Sequence, residues 1–340
     1  MEHSLPLFIA EISGNHLGDF DTAKKLVNAA INAGADAVKF QTYTADTMTL
    51  NLDTPSFRIS EDHKLWGERN LYELYQEAHT PWFWHEELFD ICRKADVIPF
   101  SSPFDFTAVD YLEQLNVPMY KIASMETGDI PLIRRVAETG KPLIISTGAT
   151  EWHEIEDVVN EVEKTGNKNL TLLVCTSSYP SDPSDAHLLR IETLRNSFGV
   201  SVGLSDHTLG IGVSIAAIAL GASMIEKHLT LKRENGGPDA AFSMEPKEFS
   251  MLVKEGTAAF QSIGKSNWRI QEAEKESRRL RRSLYIVKNV SAGEIVTNEN
   301  VRAIRPGGGC EPKYLDSLIG SRFIKSFPIG TPMEVGLVVK

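Results

Sequence analysis

The amino-acid sequence predicts an α/β protein, a (β/α)₈ barrel followed by a small C-terminal domain. Short apolar runs typical of buried strands recur eight times in the first 230 residues, separated by segments with helical periodicity. Eight such repeats favour a closed barrel. An open doubly wound sheet is the alternative, but the chain lacks the glycine fingerprint of dinucleotide-binding sheets. After residue 282 the pattern changes to short strands and turns, which indicates a separate domain.

The repeats can be followed along the chain in order. The predicted strands are Leu7–Ile12, Ala37–Phe40, Val97–Phe100, Met119–Ile122, Leu143–Ile145, Leu170–Val174, Val200–Leu204 and Ser223–Ile225. The predicted helices include Thr22–Ala33, His85–Ala95, Ile130–Glu138, Trp152–Lys164, Ile211–Leu220 and Pro246–Ile263. Glycine follows several helices, where a left-handed residue closes the last turn, at Gly34, Gly140, Gly166 and Gly221.

One connection, between Phe40 and Val97, is too long for a simple repeat. It is rich in charged and aromatic residues, the latter being Trp66, Tyr72, Tyr75, Trp82 and Trp84. In a barrel, loops of this length lie over the face that carries the active site, so the segment is a candidate substrate lid. A packed surface subdomain is the alternative interpretation.

The C-terminal part divides into three segments. The barrel is predicted to span residues 1–270, a charged linker residues 271–282, and a compact domain residues 283–340. The linker carries four nearly contiguous arginines, at positions 278, 279, 281 and 282. A solvated linker is favoured over a nucleic-acid patch because the chain as a whole is acidic.

Composition excludes several classes of function. The formal charge of −11 argues against a nucleic acid or an anionic membrane as partner, and no run is long and apolar enough to span a bilayer. Cys92, Cys175 and Cys310 are widely spaced, which favours reduced thiols in the cytoplasm. The first strand begins at Leu7, so no signal peptide is expected.

Two histidines follow neighbouring predicted strands. His207 lies in the segment Gly203–Thr208, and His228 ends the segment Ile225–His228. The strand–helix–strand connection between them makes the two strands parallel neighbours, about 4.8 Å apart. Two imidazoles placed side by side in this way can hold one divalent metal. The alternative is that each histidine is a hydrogen-bonded polar group of the core.

Other polar residues follow the remaining strands, and in a barrel they would face one pocket. They are Glu11, Asn15, His16, Lys39, Gln41, Ser101, Ser102, Lys121, Ser124, Glu126, Ser146, Thr147, Thr176, Ser177, Tyr179, Ser205 and Glu226. Two lysines and several hydroxyls converging on one cavity form an oxyanion or phosphate site. The alternative for Lys39 and Lys121 is a buried ion pair with Glu11 or Glu226.

These strand-end motifs resemble the sialic acid synthase family over essentially the whole chain. The matching segments are AEISGNH, VKFQTYT, FSSPFD, YKIASME, IISTG, CTSSYP, GLSDHTLGIG, IEKH and GPDAAFSM. The resemblance implies a (β/α)₈ barrel followed by an antifreeze-like (SAF) domain, which fits residues 283–340 and the segment AIRPGGG. The insertion at residues 57–89 is most similar to the pseudaminic acid synthase branch. The chain differs from that branch at Cys310-Glu311, near the small-domain glycines.

The resemblance also implies roles for individual residues. His207 and His228 are expected to bind Mn²⁺ or Mg²⁺, with imidazole favouring Mn²⁺. The expected phosphoenolpyruvate contacts are Lys39, Ser102, Lys121, Ser124, Ser146 and Ser205. The expected sugar contacts are Glu11, Tyr179, Asp239, Phe242 and Arg305, and Gln41 is a further expected substrate contact. The expected catalytic groups are Glu11, Glu126, His207 and His228.

The implied reaction joins phosphoenolpyruvate to an open-chain N-acyl amino sugar and releases phosphate. The family resemblance further implies a homodimer in which each small domain caps the barrel of the other subunit. Two other classes of protein remain in view. A metal-dependent aldolase would use pyruvate without releasing phosphate, and a non-catalytic carbohydrate-binding protein would not need the charged residues of the predicted pocket.

Overall fold

The computed structural model describes residues 4–60, 66–67 and 69–340, so part of the predicted lid lies outside the described residues. The chain divides into two compact units, one ending at Gly264 and one running from Lys265 to Lys340. This division lies close to the predicted end of the barrel at residue 270, and the finer boundaries stay predictions. No described helix is long and apolar enough to cross a membrane.

In the first unit, eight parallel strands close into a barrel in chain order, which confirms the predicted fold. The strands are β1 Leu7–Glu11, β2 Ala37–Thr42, β3 Ile98–Pro103, β4 Tyr120–Ile122, β5 Leu143–Ser146, β6 Leu170–Cys175, β7 Ser201–Ser205 and β8 Met224–His228. Strand β8 pairs with β1 and so closes the circle. A closed barrel brings the carboxyl ends of all its strands to one face.

Helices connect the strands, and most of them cover the outside of the barrel. They are α1 Phe20–Asn32, α2 Ala45–Met48, α3 Leu71–Ala78, α4 His85–Lys94, α5 Phe106–Gln114, α6 Ile130–Ala137, α7 Trp152–Lys164, α8 Arg190–Phe198, α9 Gly212–Ala219 and α10 Pro246–Ile263. Short polar side chains begin several of them: Asp19 accepts from the Thr22 amide at α1, and Asp129 from the Leu132 amide at α6. Their apolar faces pack against the outer faces of the strands.

Several strands run one to three residues beyond their predicted ends. Strand β2 reaches Thr42 instead of Phe40, and β8 reaches His228 instead of Ile225. The prediction stopped where apolar residues gave way to polar ones. The backbone pairing continues into the polar residues, and alternate side chains among them, such as Gln41 and His228, face the barrel mouth.

An apolar layer closes the barrel interior below that mouth. Its residues are Ile9, Ala37, Phe100, Ile144 and Leu173. Side chains two positions further along a strand point to the same face. The next layer toward the carboxyl ends therefore contains Glu11, Lys39, Ser102, Ser146 and Cys175, which explains why the strand-end polar residues meet in one place.

The second unit is a small β-rich domain with its own core. Its elements are α11 Lys275–Arg279, β9 Ser283–Ile286, β10 Val301–Ile304, α12 Leu315–Leu318, β11 Arg322–Phe323 and β12 Val338–Val339. Strands β9 and β10 are antiparallel, as are β11 and β12. A cluster that includes Leu284, Val301, Phe323 and Met333 forms the core. The predicted linker, residues 271–282, contains α11 and has exposed side chains throughout.

Candidate active site

A cavity of about 380 Å³ opens at the carboxyl ends of the barrel strands. Its polar wall consists of Ser13, Lys39, Gln41, Lys121, Ser124, Ser146, Cys175, Tyr179, Ser205, His207, Glu226, His228 and Asp239. The wall thus brings together ten of the fifteen residues expected to bind substrate or metal or to act in catalysis. Glu11, Ser102, Glu126 and Phe242 are not part of the wall itself. Arg305 lies in the second unit, where it is exposed.

A buried cluster of two lysines and two glutamates forms one end of the cavity. Glu226 Oε1 accepts from Lys39 Nζ at 2.9 Å, from Lys121 Nζ at 3.3 Å and from Ser205 Oγ at 3.0 Å. Lys39 Nζ also lies 3.0 Å from Glu11 Oε2. The alternative considered for the lysines, buried ion pairs, is therefore present, and it lies inside the predicted site. The sequence predicted that Glu226 faces the pocket or pairs with a lysine, but it did not indicate that Glu226 is the shared acceptor for both lysines and Ser205.

Burial and mutual attraction set the pKa values of this cluster. Burial alone would raise the pKa of Glu226, but Lys121 and Lys39 hold it well below its usual range. Burial lowers the pKa of Lys121 to about 8; Glu226 opposes this shift and repulsion from Lys39 adds to it. Burial likewise would lower the pKa of Lys39, but Glu11 and Glu226 hold it above the ordinary value. An anion beside Lys121 would therefore favour its ammonium form.

Buried hydroxyls lie around the same end of the cavity. Ser102 Oγ, Ser146 Oγ and Ser177 Oγ are buried and have no hydrogen-bond partner among the described residues. The Gly148 amide donates to Ser124 Oγ at 3.1 Å. A Cβ atom at Gly148 would lie 2.3 Å from Ser177 Oγ and 2.7 Å from Ser124 Oγ, so any side chain there would displace both hydroxyls. Unpartnered buried hydroxyls are costly unless a ligand satisfies them, and beside two lysines that ligand would be an anion.

The two predicted metal ligands lie side by side at the centre of the cavity. The ring centroids of His207 and His228 are 5.3 Å apart, and the ring of Phe242 packs against both. His207 Nδ1 lies 3.0 Å from the Thr176 carbonyl oxygen, a contact that fixes the ring. His228 Nδ1 is buried and has no hydrogen-bond partner among the described residues. An unpartnered imidazole nitrogen beside a second imidazole fits a metal ion.

This metal site would be open. The described residues contain no group of three or more His, Cys, Asp or Glu side chains arranged to hold a metal. Two imidazoles can therefore supply only part of a coordination sphere, and the remaining ligands would come from substrate or water. Such an open arrangement is typical of catalytic metal sites.

A hydrogen-bonded group lies on the other side of the histidines. Ser13 Oγ donates to Asp239 Oδ2, and Gln41 Nε2 donates to Ser13 Oγ at 3.1 Å and to Glu11 Oε1 at 3.3 Å. Asp239 Oδ2 lies 3.8 Å from His228 Nδ1. Burial raises the pKa of the Asp239 carboxyl. Ser13 was missed in the sequence, although its position two residues after Glu11 at the end of β1 could have indicated it.

Different parts of the aromatic insertion fit the two interpretations, a substrate lid and a packed surface subdomain. Ile59, Trp66, Leu71, Leu74, Tyr75 and Ala78 line the cavity. Trp66 Nε1 donates to the Pro238 carbonyl at 2.8 Å, and its ring lies 5.6 Å from that of Tyr179. In contrast, Trp82 stacks on Tyr111 and Trp84 is buried against Phe20. The first part forms an apolar cavity wall, and the second packs onto the barrel.

Glu126 ends a short 3₁₀ helix, Ser124–Glu126, that follows β4. Its Oε2 atom is buried and has no hydrogen-bond partner among the described residues. Burial raises the pKa of Glu126 to about 7. A carboxyl group with this pKa can hold or release a proton near neutral pH, which suits an acid–base role.

Comparison with known protein families identifies the chain. The model of the NeuB family matches residues 26–267, and that of the SAF domain matches residues 281–333. The chain belongs to the NeuB family. It is therefore an enzyme, a transferase, with the SAF domain that the sequence predicted.

Named relatives of this NeuB family member cover nearly its whole length. Pseudaminic acid synthase of Helicobacter pylori is 44% identical over 97% of this chain and 96% of its own. N,N'-diacetyllegionaminic acid synthase of Campylobacter jejuni is 34% identical over 94% of this chain and 96% of its own. The crystal structure of N-acetylneuraminic acid synthetase from Leptospira borgpetersenii is 31% identical, with a TM-score of 0.72 over 81% of this chain and 90% of that one.

Proposed function

We propose that this enzyme condenses phosphoenolpyruvate with an open-chain N-acyl amino sugar, giving a nonulosonic acid and phosphate. The observation that carries the proposal is the layer of Lys39, Lys121 and buried, unpartnered serine hydroxyls next to the histidine pair. The similarity to the Helicobacter pylori pseudaminic acid synthase supports the pseudaminic acid product. Legionaminate or N-acetylneuraminate synthesis is the alternative.

Phosphoenolpyruvate binds at the lysine end of the cavity in this proposal. Its carboxylate and phosphate satisfy the hydroxyls of Ser102, Ser146 and Ser177, which lack a protein partner among the described residues. Lys121 becomes fully protonated beside the added negative charge, since burial holds its pKa at about 8 in the free protein. These groups are in place before the ligand arrives, so binding requires little reorganisation.

His207 and His228 hold a divalent cation, Mn²⁺ or Mg²⁺, in the proposed mechanism. The neighbouring imidazoles and the unpartnered nitrogen of His228 support this assignment. When bound, such a cation would polarise the sugar aldehyde as a Lewis acid. The contact of His207 Nδ1 with the Thr176 carbonyl leaves the other ring nitrogen available as the ligand atom.

Carbon 3 of phosphoenolpyruvate then forms a bond with the aldehyde carbon of the sugar. The aldehyde oxygen becomes a hydroxyl, and carbon 2 carries positive charge. Water adds at carbon 2 and gives up both of its protons, one balancing the proton taken up by the aldehyde oxygen and one leaving with phosphate, as cleavage of the bond to the bridging oxygen leaves a ketone. Glu126, with its pKa near 7, either positions this water or stabilises the positive charge.

Acceptor choice gives a testable prediction. A 2,4-diacetamido-trideoxy hexose presents a methyl group where N-acetylmannosamine has a hydroxyl, and we place that group against Ile59, Leu71 and Leu74, three described residues of the cavity wall whose side chains carry no hydrogen-bonding group. We expect kcat/KM to favour the trideoxy sugar by about 100-fold, as apolar pockets do for one hydroxyl. Phosphate release with each sugar, and the product mass, measure this preference.

A matched pair of variants on one helix controls the acceptor experiment. Tyr75 lines the cavity, whereas Tyr72 on the same helix donates to Asp46 Oδ1 at 3.1 Å and is not among the described cavity-lining residues. Tyr75→Ala should lower kcat/KM for the trideoxy sugar more than Tyr72→Ala does. Equal or better kcat/KM with N-acetylmannosamine in the unaltered protein would exclude the pseudaminic assignment.

We also propose that two chains form a homodimer in which the SAF domain of each serves the barrel of the other. The two units have opposite formal charges: residues 1–264 carry 21 Lys and Arg against 38 Asp and Glu, and residues 265–340 carry 14 against 8. Charges of about −17 and about +6 favour attraction between the units of two chains. In this arrangement the guanidinium of Arg305 would contact sugar oxygens in the partner's barrel.

The proposed cellular setting is the cytoplasm, where phosphoenolpyruvate is made. Cys92, Cys175 and Cys310 are free thiols, and the two in the barrel are buried. The acidic surface supports small-molecule substrates over nucleic acid or a membrane. The product would supply a bacterial surface glycan.

A further inference from the structure

A second buried polar cluster lies behind the histidine pair, on the outer face of the barrel wall. Side chains alternate along a strand, so Asp206 and Lys227 point away from the cavity that His207 and His228 face. Lys227 Nζ lies 3.1 Å from Asp206 Oδ2 and donates to the carbonyls of Thr208 at 2.6 Å and Gly210 at 3.1 Å. Both charged side chains are 1% exposed.

Both carboxylate oxygens of Asp206 accept hydrogen bonds from residues that follow it in the chain. Its Oδ1 accepts from the amide of Thr208 at 2.9 Å and from the Thr208 hydroxyl at 2.8 Å. Its Oδ2 accepts from Ser214 Oγ at 2.6 Å, near the start of α9. The cluster therefore ties the loop after β7 to α9 and, through Lys227, to β8.

The backbone alone does not hold the two histidines together. The β7–β8 ladder has Ser205 opposite Glu226 as its last pair, followed by one hydrogen bond from the Asp206 amide to the Glu226 carbonyl. Beyond this point the two segments pair with different neighbours. The His207 carbonyl accepts from the Ser181 amide, whereas His228 lies opposite Glu11 of β1.

We propose that the Lys227–Asp206 ion pair is a positioning device that sets the spacing of His207 and His228 and so the affinity of the cation site. The ion pair spans the two segments where their backbone pairing ends. An apolar pair of similar volume would fill the same space without the cost of removing two charges from water. We therefore assign the ion pair a role in fixing the separation of the two segments, not in adding stability. The inference rests on the proposed cation site.

The test measures Mn²⁺ binding by electron paramagnetic resonance of free and bound ion, with metal-stripped protein. Lys227→Met removes the charge but keeps the length of the side chain. Ser214→Ala removes one donor to Asp206 at little steric cost. Lys141→Met is the control, because it breaks a partly buried ion pair with Glu113 away from the histidines.

We expect the Kd for Mn²⁺ to rise by about 10- to 100-fold in Lys227→Met and severalfold in Ser214→Ala, as for other supports of metal ligands. It should not change in Lys141→Met. Activity of Lys227→Met should return at high Mn²⁺ with an unchanged KM for phosphoenolpyruvate, a result that a general loss of structure would not give.

The outcomes separate this inference from the proposed function. If Lys227→Met and Ser214→Ala fold and keep the original Mn²⁺ affinity, the positioning role is wrong and the proposed function is unaffected. If Lys227→Met does not fold, as followed by circular dichroism, the Kd of Ser214→Ala decides. If the unaltered protein binds neither Mn²⁺ nor Mg²⁺, the cation site is wrong and the positioning role falls with it.

Discussion

Replacing His207 or His228 by alanine is expected to lower kcat by at least about 10³-fold while the barrel stays folded. The two rings lie side by side at the cavity centre, and removing one would leave a single imidazole to hold the proposed cation. In the proposed mechanism a bound cation would stabilise the charge that develops on the aldehyde oxygen by several kcal/mol, and about 4 kcal/mol corresponds to this loss in rate. Initial rates of phosphate release measure the effect.

Chelation and a surface histidine provide the controls for this prediction. Stripping the metal from the unaltered protein should abolish activity, and added Mn²⁺ should restore it there but not in the variants. His153→Ala should behave as the unaltered protein, since His153 is exposed and pairs with the exposed Glu151 at 3.4 Å. Full activity in a metal-stripped sample would contradict the assignment of the histidines.

Mixing two inactive variants, His228→Ala and Arg305→Ala, is expected to restore activity. In the proposed homodimer, His228→Ala lacks a working barrel and Arg305→Ala lacks the guanidinium that reaches the partner's sugar. A mixed dimer combines one intact barrel with one intact arginine from the other chain. Since random exchange makes half of the dimers mixed, each with one complete site, activity should reach about a quarter of the unaltered level.

The mixing experiment requires proof that subunits exchange. Chains carrying two different affinity tags show mixed dimers directly after reversible dissociation. Mixing His207→Ala subunits with His228→Ala subunits provides a control. Every chain in that mixture has a defective barrel, so subunit exchange should restore no activity. Confirmed exchange with activity at background would mean that Arg305 does not act on the partner's barrel.

The fold was predictable because each barrel repeat carries its own local signal. Apolar strands such as Leu143–Ser146, amphipathic helices such as Trp152–Lys164 and a closing glycine such as Gly166 recur along the chain. Parallel strands joined in order leave few topologies open. The position of His228 at a strand end followed from the same repeat.

Details that depend on contacts between distant segments could not be predicted in this way. Glu226 accepts hydrogen bonds from Lys39, Lys121 and Ser205, which come from three other strands, and no local pattern indicates which of two glutamates takes that position. The aromatic insertion presented a similar difficulty. Tryptophans at positions 66 and 82 look alike in the sequence, yet one lines the cavity and the other packs against Tyr111.

In the proposed reaction phosphoenolpyruvate loses phosphate by cleavage of its carbon–oxygen bond, after its carbon 3 has formed the new carbon–carbon bond. Phosphoenolpyruvate labelled with ¹⁸O in the bridging oxygen tests this most directly, with the diacetamido sugar as acceptor and mass spectrometry of both products. We predict that the label leaves with phosphate and that the ketone oxygen of the nonulosonic acid comes from water. Label retained in the carbon product, or sugar consumed with pyruvate and no phosphate released, would contradict the proposed reaction.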